Sequence, residues 1–357
     1  MKIEKNELAR KIGQLKNIVP SRTTIEALKG VLYKDGYLIA SDTELTVKAK
    51  LEGIDIESEA TIPFIIPSKS FELIRSLPAG EIELSAAEDT VTIKQGKIKN
   101  KFKTLSADQF SYNRESIEGE MIASIPAEDL KSAIAHTIYA VATSGANVMM
   151  LGMNLKCKDG KLNFVGLDGH RIAWDCIPCD GDFDVIVPRS ALDNILKLDL
   201  QGDIKISKDN NGALFKSEDY EVYTRLIAGD YFKYENMFAA GDIGTIIDRR
   251  EFSDAINRAR LCGSDEDKAP VILELDGSVV HITYKNHTSD YREDVQTVSE
   301  CTGSLKIGFA PRLLIDSLKA FECDNVTMDF NNAKTPVIIK AEDSDMTALV
   351  LPVNIKG

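Results

Sequence analysis

At 357 residues the chain is too long for one ordinary hydrophobic core and suits two or three domains, at roughly 100–200 residues each. Hydrophobic residues make up 43% and charged residues 28%, which excludes an extensively disordered chain. A net charge of −13 excludes coating of nucleic acid by bulk attraction, while leaving room for a local basic surface on an acidic body.

The opening MKIEKNELARKIGQLKNIV is charged throughout, and no later stretch approaches the roughly 20 apolar residues of a membrane span. The expectation is a cytoplasmic protein with no membrane partner. Within that opening, Glu7-Leu8-Ala9-Arg10-Lys11-Ile12 sets an acidic residue before apolar residues four apart. The pattern returns as Asp129-Leu130-Lys131-Ser132-Ala133-Ile134 and Glu251-Phe252-Ser253-Asp254-Ala255-Ile256, with Leu8, Leu130 and Phe252 at intervals of 122 residues. Apolar residues four apart share a helical face, and an acid suits the positive first turn. Each segment therefore predicts an amphipathic helix opening a repeated unit.

A second set recurs as Ile66-Pro67 before SKSFELIRSL, Val187-Pro188 before RSALDNILKL and Ala310-Pro311 before RLLIDSLKAF, with the prolines 121 and 123 residues apart. Proline is favoured in a first helical turn, so each unit should hold a second helix. Between the helices, residues 37–53, 161–178 and 271–285, then 81–105, 203–227 and 325–353, are rich in β-branched and aromatic residues and are broken by Gly, Asn and Asp. These segments predict strands and turns. Each unit reads helix, strands, helix, strands, an α+β class, with expected domains 1–120, 121–243 and 244–357. The junctions fall near Glu118 to Ala123 and Ala239 to Gly244, where small and polar residues gather.

The six helical segments (6–17, 68–76, 127–140, 188–198, 249–262 and 311–321) carry 14 Lys and Arg against 8 Asp and Glu, leaving −19 on the remainder. Positive charge gathered on equivalent helices of an acidic protein points to a surface that meets phosphate. No GxGxxG, GxxxxGK or HExxH occurs, so no catalytic residue, cofactor or metal is expected. Cys176-Ile177-Pro178-Cys179 has thioredoxin-like spacing but no βαβ context and no second CxxC. A thiol enzyme using Cys176 and Cys179 is the competing catalytic reading; the six scattered cysteines are expected as free thiols. His281 and His287 have no carboxylate at ligand spacing. Leu167-Asp168-Gly169-His170-Arg171-Ile172 reads as a turn that follows an apolar strand and presents backbone and side chains. Near the C-terminal end, Pro352 implies that the strand from Leu349 lies at an edge or stops there, leaving apolar side chains for a partner.

The repeat, the run FVGLDGHRIAW, the pairing of FAPRLLIDSLKAF with a later LVLPV, and SDTELTV in the first unit together resemble the beta subunit of bacterial DNA polymerase III, the replicative sliding clamp. The resemblance spans the whole chain. It implies a DNA-clamp fold of three similar α+β domains, each with two inner helices and outer antiparallel sheets. Two chains would close head to tail as a homodimeric ring around double-stranded DNA, held without sequence preference. It implies no catalysis, no cofactor and no metal. Partners would be the replicative polymerase, the clamp loader and repair proteins, docking through short peptides.

Carried over to this sequence, the partner-peptide pocket comprises Met150, Leu167, Gly169, His170, Arg171, Ile172, Phe232, Met237, Thr335, Pro336, Leu349, Leu351, Pro352 and Val353. DNA contacts are assigned to Arg22, Lys69, Arg75 and Lys197, and the dimer interface to Phe102 on the edge strand Ile98 to Leu105 and to Leu261. The chain departs from the family pattern at Tyr231-Phe232-Lys233-Tyr234, where Phe-Pro-Asp-Tyr is usual, and at Asn354, where arginine is common. These departures bear on peptide preference. The alternative function is a three-domain protein-binding scaffold that does not touch DNA.

Overall fold

A computed structural model describes residues 1–54, 62–87, 89–112, 119–239, 241–264, 267 and 269–355. Of the expected junctions, Glu118 and Ala240 lie outside the described residues. Six α-helices occur among the described residues: α1 (Lys5–Leu15), α2 (Phe71–Ser76), α3 (Ala127–Thr137), α4 (Arg189–Ile195), α5 (Arg249–Leu261) and α6 (Pro311–Lys319). All six fall on the segments predicted from the repeat. Only α6 has its proline inside the first turn; Pro67 and Pro188 instead close the preceding strands Phe64–Pro67 and Phe183–Pro188. A proline ending an edge strand loses no ladder bond, and both strands are sheet edges.

The chain divides into two compact units, Met1–Lys131 with Ser190–Leu226, and Ser132–Arg189 with Ile227–Gly357. In the first, eight strands form one sheet in the order Phe64–Pro67, Gly30–Lys34, Tyr37–Ser41, Leu45–Lys50, Tyr220–Arg225, Gly212–Lys216, Asp203–Lys208, Glu120–Pro126. Its halves come from distant parts of the chain and meet where Val47 lies opposite Val222. A separate four-stranded sheet runs Lys2–Glu4, Glu81–Ala87, Thr90–Gln95, Ile98–Lys103, so the last strand is an edge. Helix α1 buries Leu8, Ile12 and Leu15, the face that the spacing predicts. It also buries Lys11, 1% exposed, whose Nζ donates to the Tyr220 hydroxyl at 2.9 Å and lies 4.1 Å from that ring's centroid. The hydroxyl in turn donates to Gln14 Oε1.

In the second unit the eight-stranded order is Phe183–Pro188, Gly152–Lys158, Lys161–Leu167, Arg171–Pro178, Thr347–Val350, Val337–Lys340, Asn325–Phe330, Ile243–Asp248. Here too the sheet is composite, with Arg171–Trp174 paired antiparallel to Val350–Thr347. A four-stranded sheet orders Asp290–Gln296, Val279–Lys285, Val271–Asp276, Leu305–Phe309. Phe252, Ile256, Leu314 and Leu318 of α5 and α6 pack with Leu273, Ile282, Phe309, Met328 and Ile339 in one core. The strand ahead of Pro352 lies inside its sheet rather than at an edge and stops at Val350, so the missing N–H costs no ladder bond.

Two turns share one construction. Asp42 Oδ1 accepts from the N–H groups of Glu44 and Leu45, and Asp168 Oδ1 accepts from those of His170 and Arg171. The residue after each aspartate is left-handed, Thr43 at φ 84° and Gly169 at φ 86°. Asp168 also takes the Arg171 guanidinium at 3.0 Å, so its loss unpairs more groups. Asp42→Ala is expected to weaken the local fold by about 1 kcal/mol and Asp168→Ala by about 2–3 kcal/mol. Amide exchange at Leu45 and Ile172 measures both.

Candidate peptide-docking site

Across the strands Lys161–Leu167 and Arg171–Pro178, Leu167 lies opposite Ile172 and Val165 opposite Trp174. The period of two puts all four on one face, and Ile172 lies opposite Leu349 on the next strand. The chain then lays Tyr231 to Phe238 over that face. Val165, Leu167, Ile172, Tyr234 and Leu349 form a buried cluster, with Met150, Trp174, Tyr231, Phe232 and Phe238 packed against it. The ring of Trp174 stands edge-on to Tyr234 at 5.2 Å and to Phe238 at 5.4 Å, and Tyr231 stands edge-on to Phe232 at 5.5 Å. Trp174 Nε1 donates to Asn163 Oδ1, and Tyr231 Oη donates to the Val165 carbonyl, so the polar ends of two large rings are satisfied.

Five of the assigned pocket residues, Met150, Leu167, Ile172, Phe232 and Leu349, thus share one cluster. Gly169 belongs with them, because a Cβ there would stand 3.9 Å from Met150 Cε. Leu351 is anchored beside the turn by its N–H donating to the His170 carbonyl, and its side chain is 38% exposed. Val353 donates to the Gly308 carbonyl, which fixes the path through Pro352. Thr335 closes a turn with Asn332, and Pro336 directly precedes the strand Val337–Lys340. Met237 ends the short turn Glu235–Met237 on the covering segment and is exposed. Half-buried Met150 and Phe232 over the buried cluster, exposed Leu351, and a turn that offers backbone suit an extended apolar peptide segment.

Arg171 is not free to meet such a peptide. Its Nε reaches Asp168, its Nη1 reaches Asp316 of α6 at 2.9 Å, and its guanidinium lies 5.0 Å from the Tyr139 ring. It braces the turn against α6. Trp174, Tyr234 and Val165 were not among the assigned residues, although Trp174 sits two residues past Ile172, the spacing that shares a strand face.

The residues assigned to DNA, Arg22, Lys69, Arg75 and Lys197, are all exposed in the first unit, and Arg75 pairs with Glu72 at 2.6 Å. Phe102 is half-buried on the edge strand Ile98–Lys103, and Leu261 ends α5 with 65% of its surface exposed. Several other helical cations are already engaged within the chain, three of them half-buried and Arg258 exposed. Lys131 donates to the Leu198 carbonyl, Arg189 to those of Ile138 and Val141, Arg249 to that of Cys323, and Arg258 pairs with Glu293.

Ser132, His136 and Asp175 lie in a line, with Ser132 Oγ 3.4 Å from His136 Nε2 and His136 Nδ1 2.7 Å from Asp175 Oδ2. Glu322 also faces Nε2, at 3.9 Å, and its charge opposes any oxyanion formed beside Ser132. The array joins α3, the strand Arg171–Pro178 and the residues after α6. His281 meets Asp294 across neighbouring strands at 2.7 Å, a partner that sequence spacing did not reveal. All six cysteines are free thiols; burial raises the Cys176 pKa and pushes that of Cys157 up to about 12, which disfavours the nucleophilic thiolate. Among the described residues no cluster of three or more His, Cys, Asp or Glu could hold a metal ion, and no helix is long and apolar enough to cross a membrane.

Repeated helix pairs on antiparallel sheets, fused through composite eight-stranded sheets, define the α+β clamp fold. Sequence profiles of the DNA polymerase III beta subunit match as its N-terminal domain over residues 1–113, its central domain over 124–233 and its C-terminal domain over 240–354. The chain belongs to the DNA polymerase III beta-subunit family. It is 29% identical over 358 residues to the beta sliding clamp of Staphylococcus epidermidis, covering 95% of this chain and 94% of that one. To the beta sliding clamp of Bacillus subtilis it is 27% identical over 375 residues, covering 98% of each. A solved structure of a putative DNA polymerase III beta subunit from Eubacterium rectale superposes with a TM-score of 0.88 at 29% identity, covering 99% of both chains.

The hydrogen bond to Asp175 raises the His136 pKa above its ordinary value against the opposing effect of burial, and Glu322 adds to the rise. A raised folded pKa means that the stabilisation is full below the unfolded value of about 6.5 and disappears as pH rises through the folded value. The thermal stability advantage of the native protein over His136→Gln should therefore be full in acid and shrink as pH rises from about 6.5 through the raised folded value. Paired melting curves measure it.

Proposed function

We propose that the protein is a DNA sliding clamp, a non-catalytic processivity factor that encircles duplex DNA and tethers the replicative polymerase and other DNA-processing proteins. Membership of the beta-subunit family carries this reading, and the family matches over 1–113, 124–233 and 240–354 support a three-domain protein, for which we propose the bounds 1–120, 121–243 and 244–357. Exposed Arg22, Lys69, Arg75 and Lys197 would meet phosphates without reading bases, which permits sliding. The absence of a lowered thiol pKa at Cys176 and the acid beside His136 both argue against catalysis.

Ring closure by two copies would join the edge strand Ile98–Lys103 of one to Asp290–Gln296 of the other, with Phe102 and Leu261 as apolar contacts. The first edge carries Lys99, Lys101 and Lys103, which would face like charge if it met a copy of itself; the second carries Asp290, Glu293 and Asp294, which pair with Lys285, Arg258 and His281 within the chain and would be shared with the incoming lysines. Head-to-tail pairing follows. The apolar surface around Leu167, Ile172, Phe232, Leu349 and Leu351 would receive the peptides of the polymerase, clamp loader and repair proteins.

The protein loaded on nicked circular DNA should stay bound and be lost when the DNA is linearised; equal retention on both forms contradicts encirclement. Replacing Lys69 or Lys197 by alanine should lower the slope of log affinity against log salt by about 1 each. Phe102→Asp should convert the dimer to monomer in sedimentation. Because Trp174 is the single tryptophan, its emission should shift on titration with an apolar partner peptide, and Leu351→Asp should abolish the shift.

A further inference from the structure

The strand Arg171–Pro178 serves two sides of its sheet. Ile172 and Trp174 lie in the docking cluster, and strand alternation turns Arg171 the other way, opposite Val350, a residue of the core that α5 and α6 fill. On that side the Arg171 side chain is only 11% exposed. Its Nη1 donates to Asp316 Oδ2 at 2.9 Å, its Nε donates to Asp168 Oδ2 at 3.0 Å, and its guanidinium stands 5.0 Å from the ring centroid of Tyr139, in the turn Ile138–Ala140 that follows α3. Asp316 is carried by α6, whose Leu314 and Leu318 are locked in the core, so its carboxylate has a fixed root.

These contacts lead straight into the docking site. The same Asp168 holds the N–H groups of His170 and Arg171, Gly169 adjoins Met150, and the His170 carbonyl takes the Leu351 N–H at 2.9 Å. The position of the turn therefore sets where Met150 and Leu351 stand. A guanidinium gripped by two carboxylates and a ring face has little freedom left, so a peptide need not order the turn when it binds. We infer that Asp316 and Tyr139 are positioning residues of the peptide-docking site: from the far side of the strand they hold Arg171, and through it the turn 168–171, in the geometry that receives an extended apolar peptide. This role rests on the peptide docking proposed above, yet neither residue belongs to the face that a peptide meets.

The test titrates the full-length protein with a blocked pentapeptide, Ser-Leu-Ser-Leu-Phe, which carries no charge that could meet Arg171 or Asp316 directly. Affinity is read from the emission of Trp174, at a temperature where melting curves show every variant folded. Asp316→Ala should weaken binding by about threefold to tenfold, the span for losing a charge-assisted hydrogen bond to a partly exposed carboxylate, and Asp316→Glu should restore most of it. Tyr139→Leu should weaken binding, whereas Tyr139→Phe keeps the ring face and should leave it unchanged. Without peptide, amide exchange at His170, Arg171 and Leu351 should quicken in Asp316→Ala. A lower melting temperature with unchanged affinity in Asp316→Ala and Tyr139→Leu is the mark of a purely structural role and overturns the inference. Tighter binding by Asp316→Ala also overturns it, because the freed guanidinium would then reach the peptide itself, and so does unchanged exchange at the three amides. Failure of the native protein to take up the peptide, with faster exchange still present in Asp316→Ala, overturns the docking itself and the positioning role with it, so the two failures are told apart.

Discussion

The antiparallel pairing of Arg171–Trp174 with Val350–Thr347 is the contact on which the candidate site rests. It fuses two four-stranded halves into one sheet, and by doing so sets Leu349 beside Ile172 on the face shared with Leu167 and Trp174. Sheet pairing fixes register to a single residue, since a slip of one would turn every apolar side chain to the opposite face. The site is therefore a product of register rather than of a mobile loop. Asp168 and Arg171 strengthen the same joint, the aspartate by holding the turn and the arginine by reaching Asp316 on α6.

Charge is used in two ways. Lys131, Arg189 and Arg249 give their donors to carbonyls in the segments that follow α4, α3 and α6. Lys11 goes further and is buried against Tyr220. These cations hold the fold, so the surplus on the helical segments overstates what is left to face a polyanion. Exposed Lys16, Lys69, Lys197, Arg250 and Lys319 are the more relevant set. The clamp reading survives that reduction, because non-specific phosphate binding needs several accessible cations rather than a large total.

Repetition was the legible part of the sequence. Leu8, Leu130 and Phe252 mark the first helix of each unit because helical periodicity needs only local sequence. Strands such as Gly30–Lys34, Gly152–Lys158 and Asp290–Gln296 did not stand out in the sequence. Buried strands lack clean alternation, and edge strands rich in charge resemble loops. The pocket was legible through family resemblance at Leu167, Ile172 and Leu349, whereas the lock on Arg171 depends on Asp316, 145 residues away. No local pattern carries such a pairing.

Hydrogen exchange at residues 171–174 and 347–351, with and without a bound apolar partner peptide, tests most directly whether docking depends on this joint. The account predicts that both strands are protected to the same degree and that the peptide slows their exchange together. Unequal protection of the two strands, or peptide-induced slowing confined to other parts of the chain, would contradict it.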